Sequence, residues 1–206
     1  RIAATIDKDS CSTREECLIE IYRKLRPGDP PTVESTEALL DGLFYDRRRY
    51  ELSNVGRYKF NKKLSLFPRI AGFELTAPVA DPLTGELLAD AGEIVTREKA
   101  RELADAGVNE VWVNVDGKNV RVFSNGMVDI NRYVDFDAAA ELGIKEKVRG
   151  IIIRQLCEQF EGEALKDAIR DNIDVLIPKH IVADDIFASV NYLNCLAKGI
   201  GEADDI

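Results

Sequence analysis

Histidine, methionine and tryptophan each occur once in the 206 residues, and cysteine only four times. A single histidine, His180, leaves little room for Ser-His-Asp or Cys-His catalysis, and its place between two predicted helices reads as an ordinary loop residue. The cysteines (Cys11, Cys17, Cys157, Cys195) lack CxxC spacing and a histidine neighbour, so neither a metal site nor a disulfide scaffold is expected. Cys17 and Cys157 fall on apolar stripes, as small hydrophobes do. With 14 Gly and 7 Pro, collagen-like and mucin-like classes are excluded. No wholly apolar stretch exceeds four residues, far short of the roughly 20 needed to span a bilayer. No secretion signal opens the chain, so a cytoplasmic location with reduced thiols is expected. Glycine-rich phosphate loops of the GxGxxG or GxxxxGK[ST] kind are also missing. Nothing resembles an active site.

What is present is length and charge. The chain is long enough for one large or two small domains with their own core. Its net charge is −9, which argues against a free-standing nucleic-acid binder on global charge. The charge is uneven, however. Residues 45–70 hold eight bases (Arg47, Arg48, Arg49, Arg57, Lys59, Lys62, Lys63, Arg69) against Asp46 and Glu51, a local +6 that leaves the other 180 residues at −15. Within this island Gly56 to Lys63 interleaves cations with aromatics, as segments facing nucleic-acid phosphates do. A solvated or internally paired basic segment facing the acidic body is the competing reading, and pattern alone does not separate the two.

Local signals divide the chain into helices, strands and helices again. Ser12 to Glu16 offers overlapping capping boxes, after which Cys17, Leu18, Ile21, Tyr22 and Leu25 form one helical face. The run Arg26 to Pro31 must end that helix. A second helix starts at Thr32 and points Leu39, Leu40, Leu43 and Phe44 inward, and a turn is expected at Ser53-Asn54 and Gly56. From Gly72 the period shortens. Short strands are predicted around Phe73–Ala77, Leu87–Ala89, Ile94-Val95, Val111–Val115 and Val120–Phe123, with a type I′ hairpin at Asp116-Gly117 and a helix capped by Thr96. A further strand is expected at Met127–Ile130. Three helical stripes follow. They are Ile144, Val148, Ile151, Ile152, Leu156 and Phe160; then Leu165, Ile169, Ile173, Leu176 and Ile177; then Ile186, Phe187, Val190, Leu193 and Leu196. Asp184-Asp185 and Asp204-Asp205 could be read as Mg²⁺ ligands, but helix capping and the helix dipole explain adjacent aspartates at a helix start more simply.

Three of these runs carry a family resemblance. Residues 18–32 (LIEIYRKLRPGDPPT), residues 49–61 (RYELSNVGRYKFN) and residues 201–206 (GEADDI) resemble, in order, runs of the β subunit of bacterial DNA-directed RNA polymerase. Residues 65–182 depart from the short version of that family, in which the flanks nearly adjoin, and inserts of lineage-dependent size are common at this point. The stretch Leu75 to Val115, with DPLTGE at 81–86 and AGEIVT at 91–96, resembles the barrel-sandwich hybrid motif of large polymerase subunits.

The resemblance implies an α+β fold in which helical host segments flank an inserted small β barrel-sandwich hybrid module with additional helices. Residues 1–64 would be the helical part of the β-subunit lobe, 65–135 the inserted β-rich module, 136–180 its helical part, and 181–206 a helix returning to the lobe. The chain would be a fragment, in keeping with its start at Arg1 and its stop inside a family motif. Catalytic residues and metal ligands are then expected to be absent, the Mg²⁺ being held in the partner subunit β′. The partners implied are β′, α and σ subunits and DNA, with no membrane, a nucleoid association in the full enzyme, and a monomeric state for the fragment alone. Charge, rather than the resemblance, nominates Arg57, Lys59, Lys62 and Lys63 as the residues nearest DNA phosphates, with Arg26 weaker. The rival reading is a free-standing protein-interaction domain on a barrel-sandwich scaffold.

Overall fold

The computed structural model describes residues 2–46, 48–49 and 51–201. Arg47, Tyr50, the Asp204-Asp205 pair and most of the 201–206 run lie outside them. The fold is a mixture of helices and small sheets, α+β in class, divided into compact units at residues 1–51 and 52–206.

The first unit holds α1 (Ile2–Ile6), α2 (Arg14–Leu25) and α3 (Val33–Phe44). The α2 start is fixed by a capping box: Glu16 N–H donates to Thr13 Oγ1 at 3.2 Å, while the Glu16 carboxylate accepts from the Thr13 N–H at 3.3 Å. Thr32 and Ser35 repeat the device at α3. Arg14 of α2 bridges to Glu37 of α3 at 2.5 Å. Of the two predicted apolar faces only Leu18 is fully buried, whereas Ile21, Leu25, Leu43 and Phe44 are exposed.

The second unit begins with α4 (Ser53–Leu64) and α5 (Phe67–Ile70). Residues 53–56 therefore continue as helix, and the turn expected there does not form. Next come β1 (Glu74–Leu75), β2 (Val79–Ala80), β3 (Leu87–Ala89), α6 (Arg97–Asp105), β4 (Glu110–Val115) and β5 (Lys118–Phe123). β4 and β5 form the predicted hairpin, with Asp116 (φ 50°) and Gly117 (φ 75°) both left-handed, as a type I′ turn requires. Register places Val111 opposite Val122 and Val113 opposite Val120 on the buried face, and Trp112 opposite Arg121 on the outer face. β1 adds antiparallel to β4, giving the sheet order β1-β4-β5, and β2 pairs with β3. Ile94 contributes an isolated bridge to Glu74 instead of a strand. Among the described residues the sheets have three, two and two strands, and no barrel closes.

The remaining elements are β6 (Met127–Val128), α7 (Ala138–Leu142), β7 (Val148–Arg149), α8 (Gly150–Gln159), α9 (Gly162–Asp171), α10 (Ile173–Leu176) and α11 (Ala183–Ala197). β6 pairs with β7, so Val148 belongs to a strand and the stripe predicted from Ile144 is split. Ile153 and Leu156 face the core from α8, while Ile151 points to solvent. One apolar core lies under the β1-β4-β5 sheet with α5 and α6, and a second lies among α7 to α10.

The largest departure is in α11. Its inward face is Asp185, Ala188, Asn191 and Cys195, and the apolar residues Ile186, Phe187, Val190 and Leu193 are exposed, Phe187 by 64% and Leu193 by 63%. The helix is turned opposite to the expectation because its neighbours present two buried arginines, which need acceptors more than the core needs leucine. A denaturation series tests this orientation. Phe187→Ser and Leu193→Ser are expected to shift the stability of the second unit by no more than about 0.5 kcal/mol. Ala188→Leu, which overfills a wholly buried position, is expected to cost about 1–3 kcal/mol. Trp112, the only tryptophan, sits in β4 and reports on this unit in urea titrations. The reverse ranking would show that α11 packs by its apolar face.

Candidate nucleic-acid interface

α4 is the element that divides the basic island. Helical periodicity sends Arg57, Phe60, Asn61 and Leu64 toward the unit and leaves Val55, Tyr58, Lys59 and Lys62 outside. Its amino end is tied down by the Leu52 N–H, which donates to the Lys179 carbonyl at 2.7 Å.

Arg57, one of the nominated phosphate contacts, is corrected by this geometry. Its side chain is only 2% exposed, and its guanidinium grips Asp185 of α11, with Nη1 at 2.9 and 2.8 Å from the two carboxylate oxygens. Its Nε donates to the Pro178 carbonyl at 2.8 Å and its Nη2 to the His180 carbonyl at 2.5 Å. Asp185 also accepts from Asn125 Nδ2 at 2.9 Å and from the Val182 N–H at 3.1 Å. Asn125 in turn reaches Asn61 Oδ1 at 3.0 Å. Every charge in this cluster is consumed internally. Asp185 thus serves as an ion-pair partner and a cap for the start of α11, and Asp184 pairs with Arg149 at 2.9 Å. Among the described residues no group of three or more metal-ligating side chains converges.

Arg69 is the second buried cation of the island, 1% exposed. Among the described residues no carboxylate enters its hydrogen-bonding shell. Its Nη2 donates to the carbonyls of Leu64 (2.7 Å) and Phe123 (2.8 Å), its Nε to the Ser65 carbonyl (3.2 Å), and its Nη1 to Asn191 Oδ1 (3.0 Å). Leu64 and Ser65 close the carboxyl end of α4, so the guanidinium sits at the negative pole of that helix. Burial nevertheless pulls the Arg69 pKa below its usual value. Burial likewise pushes the neighbouring Cys195 thiol up.

The surface cations are lysines. Lys59 and Lys62 are exposed on the outer face of α4, and the half-buried Lys63 lies with Nζ 5.4 Å from the centre of the Tyr192 ring. Arg26 is exposed at the carboxyl end of α2, in the first unit. Arg48 and Arg49 are exposed and pair with Asp46 at 3.7 and 3.5 Å. A cleft of about 830 Å³ opens beside α4, and both Lys62 and Lys63 line it. Three cations of this cleft escaped sequence reasoning: Arg101, whose guanidinium stacks 4.8 Å over Phe67, and Lys145 and Lys147. The alternation Lys145-Glu146-Lys147 preceding β7 was the available signal, hidden by the reading of that stretch as helix.

The family described as RNA polymerase Rpb2, domain 2, matches residues 2–76. The DNA-directed RNA polymerase subunit beta of Acetivibrio thermocellus is 54% identical over 209 aligned residues, covering all of this chain and 17% of the relative. The corresponding subunits of Clostridium acetobutylicum and Clostridium kluyveri are 46% and 47% identical over 207 residues, with the same coverage. The chain therefore spans about one sixth of the length of these curated relatives. The alignments run through residues 65–182, so these relatives carry the same stretch. Along its whole length, then, this chain is similar to one segment of the DNA-directed RNA polymerase β subunits of these bacteria.

Proposed function

We propose that the chain is a structural part of a polymerase β subunit, contributing to RNA synthesis from a DNA template only within the whole enzyme. In this reading it helps wall the channel in which DNA runs, assembled with β′, α and σ subunits in the cytoplasm, on the nucleoid. Catalysis and the Mg²⁺ that supports it belong to β′. Residues 65–180 form an insert into the lobe, built in part on a barrel-sandwich hybrid scaffold.

The observation that carries the reading is the division of labour on α4. Arg57 within it and Arg69 of α5 lock the helix from the inside, and Lys59 and Lys62 are left on its outer face. A locked helix holds Lys59 and Lys62 at fixed positions for phosphates, with Lys63 behind them at the cleft. Arg26 offers a further, separate contact. No helix among the described residues is long and apolar enough to cross a membrane.

Each lysine–phosphate contact on duplex DNA contributes about 0.9 to the slope of log binding constant against log salt. Lys59→Ala combined with Lys62→Ala in the whole enzyme is expected to lower that slope by about 1.8 for open-complex formation. Lys63→Ala is expected to add less, because its ammonium already rests on Tyr192. An unchanged slope in the double variant would remove these lysines from the DNA path.

A further inference from the structure

The cleft beside α4 has a composition that phosphate tracking alone does not call for. Phe67, Pro68, Ile130 and Ile144 give it apolar walls. Lys62, Lys63, Arg101, Lys145 and Lys147 supply cations, against the carboxylates Asp105, Asp129 and Glu146. Two of those carboxylates are already engaged: Asp129 accepts from the Asn131 N–H at 3.0 Å, and Glu146 from Asn54 Nδ2 at 3.1 Å. Tyr58 also lines the cleft, 66% exposed and one helical turn before Lys62. At about 830 Å³ the space lies within the range of pockets that enclose small molecules.

Duplex DNA keeps its bases stacked and offers a protein surface its phosphates. Apolar walls and an exposed ring would then have nothing to do. A nucleotide whose base is unpaired brings both halves of the required chemistry, a flat π-face and an anion. Aromatic side chains take the first and lysines the second. We infer that this cleft seats a single nucleotide, its base on Tyr58 and the apolar walls and its phosphate among Lys62, Lys63 and Lys145. The source is an unpaired DNA strand or a free nucleotide. This inference rests on the DNA-channel reading and adds to it a base contact and a cavity.

The test uses the intact polymerase on DNA with a preformed unpaired bubble, in which an abasic site is stepped through each strand. At one unpaired position, loss of the base is expected to weaken binding by about five- to a hundredfold. That penalty should vanish in Tyr58→Ala and persist in Tyr58→Phe, which keeps the ring. Tyr58 is exposed, so both variants retain the fold. In a second arm, deoxythymidine monophosphate is added without DNA and acylation of Lys62 is followed. Shielding that depends on the ring at position 58, without any abasic penalty, assigns the seat to a free nucleotide. If neither arm depends on Tyr58, the inference is overturned. The lysine salt slope separates this failure from that of the underlying reading. A normal slope loss with no Tyr58 dependence in either arm leaves phosphate contacts and removes the nucleotide seat, whereas an unchanged slope removes the DNA-channel reading and overturns the seat on a DNA strand.

Discussion

Truncating Arg57 to alanine is expected to cost the second unit about 3–5 kcal/mol, because it strands the Asp185 carboxylate in a site with no exposure. That is a large share of the roughly 5–15 kcal/mol by which a domain is stable. The penalty arises from what stays behind. Asp185 would keep its bonds from Asn125 and the Val182 N–H but lose the cation that pairs with it, and the carbonyls of Pro178 and His180 would lose donors. Arg57→Lys is expected to recover little, since one ammonium cannot span a carboxylate and two carbonyls lying on different sides. Asp185→Asn in the Arg57→Ala background removes the stranded charge and is expected to restore part of the loss. Urea unfolding read by Trp112 fluorescence measures all three. A loss below about 1 kcal/mol for Arg57→Ala would mean that water reaches Asp185 and that the ion pair is not buried.

The sequence made the hairpin, the capped helices and the α+β class legible because each rests on a local rule. Asp116-Gly117 can form a left-handed pair of residues more readily than most, and Thr13, Thr32 and Thr96 lie where a hydroxyl meets an orphaned N–H. The orientation of α11 was not legible, since it depends on partners more than 100 positions away. Arg57 lies 128 residues from Asp185, and Arg69 lies 122 from Asn191. An apolar stripe is ordinarily the core side of a helix, so Ile186, Phe187, Val190 and Leu193 were read as buried. The buried guanidiniums override that rule. The island itself was legible as a cluster but not as two populations. A clue did exist: the fully buried members are both arginine and the exposed members of α4 are lysine, in keeping with the fork geometry that lets arginine satisfy several acceptors.

Arg69→Leu is expected to cost about 3 kcal/mol or more, although no salt bridge among the described residues is broken. Four acceptors lose a donor at once: the carbonyls of Leu64, Ser65 and Phe123, and the Asn191 amide oxygen, which keeps the Phe123 N–H and the weak Cys195 thiol. Asn191 is itself stitched to β5, accepting from the Phe123 N–H at 3.1 Å and donating to the Arg121 carbonyl at 2.9 Å. Arg69 therefore couples the end of α4 to β5 and α11 through one side chain. Asn191→Ala should reproduce about 1–3 kcal/mol of the loss, because the Phe123 N–H, the Arg121 carbonyl and Arg69 Nη1 each lose a partner while Arg69 keeps its carbonyls.

The consequence reaches the surface, because the helix end held by Arg69 is the one that carries Lys62 and Lys63. With that end released, the lysines would no longer share a fixed spacing. The salt slope of DNA binding is then expected to fall in Arg69→Leu even though Arg69 touches no phosphate. Lys59, about one and a half turns from the helix end that Arg69 holds and close to the Arg57 anchor, should keep its contribution. A full salt slope in a polymerase bearing Arg69→Leu, with the stability loss confirmed in the same chain, would show that the lysines act as mobile charges. A reduced slope that Lys62→Ala lowers no further would show that Arg69 positions them.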